Sequence, residues 1–209
     1  MATTVRSILN RAAALLNDEE HTRWEEAELL EWLNDGQRAV AKGPAEDVYV
    51  LRDNITAVIG TVQALPDNGI RLVDVVKNVS NGAAIHQSDY AIVDVLSATW
   101  RAATTGIAEN FFYDERNPLE FELFPPQAGG EAIEVVYNAK PGDATAGGNI
   151  VISDMYADSL IDYIAYRGFS KDTEDASAEL SRATAFYRAF LLSIGHKEAV
   201  DEATEPRRS

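Results

Sequence analysis

Apolar side chains recur along this chain with two different periods, and the period changes twice. Val5, Ile8, Leu9, Ala12, Leu15 and Leu16 recur every three to four residues, which predicts an amphipathic helix with Thr4 as its cap. After a short acidic turn at Asn17–Glu20, a second helix is predicted from Thr22 to Pro44. Thr22 and Glu25 have capping-box spacing, Glu25, Glu26 and Glu28 crowd the first turns, and Gly43-Pro44 is a stop signal. Leu29, Leu33, Gly36, Gln37 and Val40 share one face, which Trp32 broadens. A connection this short predicts that the two helices pack as an antiparallel hairpin. Asn34-Asp35-Gly36 stands out in mid-helix. None of the three is a good helix former, and Gly costs roughly 1 kcal/mol against Ala there. Close packing or contact with another chain must offset that cost.

From Asp47 the period shortens to two. Ile55, Ala57 and Ile59 alternate with polar or opposite-facing positions, then Val62 and Ala64 do so, and Gly60 between them predicts a hairpin or a bulge. Ile70–Val79 is rich in Val and Ile, which favours a strand although the apolar spacing also fits a helix, and a Ser80-Asn81-Gly82 turn follows. Ser88–Thr99 fits a short helix carrying Tyr90, Ile92, Val93 and Leu96. Leu119, Phe121 and Leu123 alternate with Glu120 and Glu122, which predicts a half-buried strand with an acidic outer face. Pro125-Pro126 to Gly130 reads as a turn and Ile133, Val135 and Tyr137 as the returning strand, together an antiparallel hairpin. Pro141–Gly148 reads as a linker of small residues.

After a short strand at Ile150–Ile152 the helical period resumes. Ser153 or Asp154 opens a helix with Tyr156, Leu160, Ile161 and Ile164, ending near Gly168. Asp172 or Thr173 opens a long one with Ala176, Leu180, Ala183, Tyr187, Phe190, Leu191 and Ile194 inward and Gly195 as its C-cap. The expected fold class is therefore α+β. An N-terminal helical hairpin and the C-terminal helices form a bundle from residues 1–46 and 149–195. A central antiparallel β domain, a small sandwich or partly closed barrel, occupies 47–148, and 196–209 is a flexible arm.

Charge and composition narrow the function. The 34 acidic residues against 18 basic give a formal net charge of -16, a surface that repels nucleic-acid phosphates rather than gripping them. With 46% hydrophobic and 25% charged residues over 209 positions, one good core is affordable. There is no cysteine, which excludes disulfides and thiolate metal sites. No run reaches the length of a membrane span, and the first residues lack a signal-peptide apolar core, so synthesis and folding in a reducing cytosol are expected.

Catalytic patterns do not appear. His21, His86 and His196 share no helical face with a second ligand. There is no phosphate loop, nucleophile elbow or His-Glu-x-x-His run. Asp172, Glu174 and Asp175 resemble a metal cluster, but a helix start explains them. Glu120 and Glu122 read as a solvated strand face. Trp24, Trp32 and Trp100 read as core or interface anchors. The expectation is a protein without cofactor, metal or enzymatic activity.

The chain does resemble a known family. Leu15-Leu16-Asn17-Asp18, Arg23-Trp24, Glu28-Leu29-Leu30, Trp32-Leu33-Asn34-Asp35-Gly36-Gln37 and Pro44 are similar to bacteriophage head-to-tail adaptors, proteins between portal and tail in short-tailed and some other tailed phages. The series continues in order with Gln63-Ala64-Leu65-Pro66, Asn117-Pro118, Pro125-Pro126 and Tyr137-Asn138-Ala139-Lys140-Pro141. It closes with Asp158, Leu160, Asp162-Tyr163, Tyr166-Arg167, Ser170-Lys171-Asp172, Phe190 and Gly195.

The resemblance implies a virion protein forming a homo-oligomeric ring of about twelve copies beneath the portal protein. Such a ring extends the DNA channel, lets DNA pass without specific binding, retains the packaged genome and docks a tail or nozzle protein. It further implies that the C-terminal segment reaches the portal, which makes His196, Lys197, Arg207 and Arg208 the expected portal-binding arm. Trp32, Asn34, Asp35 and Gly36 become the expected helix contact. A tail-associated module touching a receptor or glycan through the β domain is the alternative, with Phe111, Phe112 and Tyr113 on an exposed loop as its signature.

Overall fold

The computed structural model describes residues 3–43, 48–171 and 176–195. Two compact units share the chain: Val50–Lys140 forms one, and the segments on either side of it, Met1–Tyr49 and Pro141–Ser209, form the other. The architecture is α+β, with five α-helices and two β-sheets among the described residues and no closed barrel.

In the helical unit, α1 spans Val5–Leu15 with the Thr4 hydroxyl accepting from the Ser7 amide. Ala13 is buried in this helix while Leu15, expected inward, is 44% exposed. The second helix, α2, is Glu26–Ala41 and so begins later than the capping-box spacing predicts. Thr22 is not its cap. Asp18 takes the backbone donors of that region instead: its carboxylate accepts from the amides of Thr22 (2.8 Å), Arg23 (3.0 Å) and Trp24 (2.7 Å) and from the Thr22 hydroxyl (2.8 Å). With their N–H groups turned to Asp18, residues 22–24 form a turn rather than a first helical turn. Asn17 and His21 stand at φ 52°, a region that Asn and His tolerate better than most residues.

Burial pushes the Asp18 carboxyl up, but the Trp24 amide, the Thr22 hydroxyl and the other two amides outweigh it, leaving the pKa below the ordinary carboxylate value. The sign of the pH effect follows. A depressed folded pKa contributes stability that is present above the unfolded value, near pH 4, and lost as pH falls through the folded one. Asp18→Ala should therefore lower the melting temperature at pH 7, and the gap to the unsubstituted protein should narrow below about pH 4. An equal gap at pH 7 and pH 3 would show that the carboxylate's charge is not what these donors recognise.

The C-terminal helices organise this unit. A short 3-10 turn at Asp154–Tyr156 leads into α4, Ala157–Lys171, and α5 is Ala176–Ser193. The helices α1, α2 and α5 each pack mainly on α4, and α1 and α2, the predicted hairpin, also touch each other. Gly168 does not end α4 but lies inside it, where a Cβ would come within 2.6 Å of the Leu16 Cδ2. Phe169 stacks on Phe186 at 5.6 Å and Tyr163 meets Phe190 at 5.0 Å with tilted rings, joining α4 to α5. Leu180 and Tyr187, expected inward, are exposed, whereas Ala183, Phe190, Leu191 and Ile194 are buried. Gly195 adopts φ +87° past the end of α5, as a C-cap glycine should. No strand forms at Ile150–Ile152; Asn149 makes one isolated bridge with Thr4. The predicted helix openers Asp172 and Thr173, together with Pro44, Glu174 and Asp175, lie outside the described residues.

The other unit has seven strands: β1 Val50–Thr56, β2 Gly60–Ala64, β3 Gly69–Asn78, β4 His86–Gln87, β5 Asn110–Tyr113, β6 Glu120–Gln127 and β7 Ala132–Ala139. They form one sheet in the order β1-β7-β3 and another in the order β2-β6-β5-β4, antiparallel except for β4 with β5. A short helix, α3 (Tyr90–Leu96), is capped by the Asp89 side chain, which accepts from the Ala91 amide.

Two predicted hairpins are absent. The strands β1 and β2 are separated by residues 57–59 but pair with β7 and β6, in different sheets, and β6 and β7 also part company. Both connections change sheet at one place: the Ala57 amide donates to Glu131 O at 2.7 Å and the Gly130 amide to Ala57 O at 2.9 Å. Alternation specifies which face of a strand is buried, not which strand it pairs with. Gly60 (φ +103°) marks the bulge reading instead, since the β2–β6 register shifts between Gly60 and Val62. Pro125-Pro126 is not a turn but the end of β6. The register shift falls opposite these two residues, which have no N–H to give a ladder.

Candidate functional site

The mid-helix run in α2 is the most connected polar feature of the helical unit. Asn34 is buried, and its side chain reads one backbone position in both directions. The Ala144 amide donates to Asn34 Oδ1 at 2.9 Å, and Asn34 Nδ2 donates to Ala144 O at 3.2 Å. One turn on, Gln37 is wholly buried. Its Nε2 donates to Asn34 Oδ1 at 3.0 Å while its Oε1 accepts from the Val151 amide at 2.7 Å. The expected linker Pro141–Gly148 is thereby held at Ala144, and the segment that follows it at Val151, by helix side chains.

The neighbouring residues serve α4. A Cβ on Gly36 would sit 3.1 Å from both Leu160 Cδ2 and Tyr163 Cδ1, so glycine lets these two helices approach. Asp35 accepts from Arg38 at 2.8 Å and from Arg167 of α4 at 3.2 Å. Arg38 also donates to Asp143, and its pKa is raised, first by the hydrogen bond to Asp35. Trp32 is buried, 5.5 Å from Trp24 between ring centres, with the Arg167 guanidinium 5.9 Å from its ring. All four residues singled out in the sequence thus meet partners within this chain. Gln37, Arg167 and Ala144 complete the arrangement. Of these, Gln37 stands in the sequence as a polar residue in an apolar helical stripe and Arg167 within the family series, whereas Ala144 carries no sequence signal.

The β unit carries a cleft of about 430 Å³ that includes Tyr90, Asp94, Arg101, Asp114, Glu120 and Glu122 in its lining. Arg101 spans Asp94 (3.1 Å) and Glu122 (3.0 Å) while lying over the Trp100 ring at 4.3 Å. Asp94 also accepts from the Trp100 indole N–H at 2.7 Å, and Asp114 pairs with Arg116 at 2.8 Å. The Trp100 hydrogen bond lowers the Asp94 pKa and the Arg116 hydrogen bond lowers that of Asp114, so both are held as anions. Tyr90 is pushed up to about 12, first by burial and then by the nearby Glu122 carboxylate. Glu120 and Glu122 do not act as a pair, since Glu120 takes the Asn117 side-chain amide at 2.7 Å. Carboxylates fixed as anions by donors are matched counter-charges, not a general acid beside a base.

Among the described residues no three His, Asp or Glu side chains are grouped to hold a metal ion. His21 lies in the Asp18 turn and His86 on β4. His196, with Lys197, Arg207 and Arg208, lies outside the described residues. Likewise among those residues, no helix is long and apolar enough to cross a membrane.

A family model described as SU10 adaptor protein matches residues 3–209. The chain belongs to the SU10 adaptor protein family. No curated protein matches it. As an SU10 adaptor family member it is a bacteriophage adaptor, a structural component of the virion. The match covers both units and every segment quoted for the resemblance. The interlocked 34–37 run lies within the matched residues.

Proposed function

We propose that this adaptor sits at the head-to-tail junction of a short-tailed phage, where about twelve copies form a ring beneath the portal protein. The ring extends the DNA channel, helps retain the genome and offers a docking surface to a tail or nozzle protein. The observation that carries this reading is the family match over residues 3–209, which includes the segment after α5. The net charge of -16 supports it, since a channel wall rich in carboxylates repels phosphate and lets DNA slide without trapping it. Mixing the purified protein with a portal ring is the test. Stoichiometric binding is expected, and failure to bind at micromolar concentration with 196–209 intact would overturn the reading.

Residues 196–209, with His196, Lys197, Arg207 and Arg208, are the portal-binding arm in this proposal. Deleting residues 198–209 should abolish portal docking while leaving the melting temperature within about 1 °C, because a segment that folds on binding contributes little to the free protein. A large fall in melting temperature would make the segment structural instead. The alternative of a receptor- or glycan-binding β domain loses its expected signature. Phe111 and Phe112 are 2% and 0% exposed, and the Tyr113 hydroxyl is engaged with the Leu72 amide and Pro118 O.

A further inference from the structure

We propose that Asn81-Gly82 is a self-modification site, where the folded chain converts its own asparagine to aspartate and isoaspartate with water as the only co-reactant. The chemistry needs a main-chain nitrogen within reach of a side-chain carboxamide carbon. The Gly82 nitrogen gives up its proton and bonds to Asn81 Cγ, the Cγ–Nδ2 bond breaks, and the amide leaves with a proton as ammonia. One water then opens the resulting succinimide at either carbonyl. One opening gives aspartate; the other reroutes the main chain through Cγ and gives isoaspartate. A following glycine favours ring closure, because it has no Cβ to shield the nitrogen or restrict the dihedrals.

Two such dipeptides occur in the chain, Asn68-Gly69 and Asn81-Gly82, and their surroundings differ. Asn68 is tied to the end of β7: its Oδ1 accepts from the Tyr137 hydroxyl at 3.2 Å and its carbonyl from the Lys140 amide at 2.7 Å. Gly69 pairs with Ala139 in the β3–β7 ladder and its amide donates to Pro66 O at 2.7 Å. A Cβ there would meet Leu65 Cβ at 2.8 Å, so the backbone has no room to swing. Asn81 and Gly82 are exposed, and Gly82, at φ +73°, would have nothing within 4 Å of an added Cβ. Asn81 Oδ1 accepts from the Ala83 amide at 2.9 Å. The ring closed by that bond contains the Gly82 nitrogen, which folds the carboxamide over the atom that attacks it. The same Ala83 N–H is in place for the oxygen as it gains negative charge in the tetrahedral intermediate. The Gly82 amide must first release Asn78 O, to which it donates at 2.9 Å. Opening an exposed turn costs far less than opening a strand ladder.

The experiment holds the full-length protein for days in mildly alkaline buffer, once folded and once in urea, and maps its peptides by mass spectrometry with isoaspartate detection. In the folded protein Asn81 should convert roughly tenfold or more faster than Asn68, and in urea the two rates should converge. If Asn68 keeps pace in the folded protein, or if Asn81 stays an amide there while converting in urea, the proposal is wrong. Asn81→Gln supplies a second readout, because its six-membered ring closes far more slowly. This exposed substitution should leave the melting temperature unchanged and remove most of the ammonia that the folded protein releases. Undiminished ammonia from Asn81→Gln would place the reactive amide elsewhere and overturn the proposal as well.

Discussion

Leucine in place of Gly36 is expected to destabilise the helical unit by about 3 kcal/mol, at the upper end for overpacking a tight contact. A Cβ there already meets Leu160 and Tyr163 at 3.1 Å, and three further carbons have no room between α2 and α4. The melting temperature should fall by roughly 10 °C for a unit of this size. Ala at the same position tests the cause. Its better helix propensity, worth roughly 1 kcal/mol, works against a much smaller clash, so Gly36→Ala should lie within about 1 kcal/mol of the unsubstituted protein. The measurement separates two roles for the glycine. A leucine variant that melts normally but fails to load onto portal would mean that residue 36 serves a neighbouring subunit instead.

Asn34→Leu should cost a similar amount by a different route. Leu is close to Asn in size, so little space is lost or gained. The change instead strands the Ala144 N–H, the Ala144 C=O and the Gln37 Nε2, of which Asn34 is a buried partner. An unsatisfied buried group costs roughly 1–3 kcal/mol, partly relieved where water can enter, so a loss of about 3 kcal/mol is expected. Hydrogen exchange gives the specific readout, because the Ala144 and Val151 amides should exchange faster well before global unfolding. Asn34→Asp is the sharper control. It keeps the acceptor for the Ala144 amide but removes the donor to Ala144 O and adds a buried charge, so it should be no better than leucine. Unchanged exchange at Ala144 in both variants would mean that the 143–152 segment is held by other contacts.

Both predictions turn on residues whose place in a helix is explained only by their distant partners. Asn34-Asp35-Gly36 reads as a flaw in a helix because propensity counts only local terms. Its compensation comes from Ala144, Arg167 and Leu160, more than 100 positions away in the chain. Asp18 shows the same effect at short range. The Thr22–Glu25 spacing satisfies a capping rule, yet an aspartate four residues earlier offers two oxygens to three successive amides and wins them. The Pro125-Pro126 pair reads as a turn because proline lacks an N–H, although β6 accommodates it where the register with β2 shifts.

Periodicity alone was enough to establish the helices–strands–helices order, most of the inward face of α1 and the inward face of α4. Those features depend on side chains a few residues apart, which solvent sorts into buried and exposed whatever the rest of the chain does. The folded chain alone decided the remainder. Strand partners were assigned by two connections that cross between sheets at Ala57 and Gly130, α4 was made the common support of three helices, and Asn34 and Gln37 were paired with a distant segment. Each of these is a contact between positions far apart in sequence, chosen by which surfaces and hydrogen-bonding groups remain unsatisfied once local structure has formed, and no period in the chain encodes that choice.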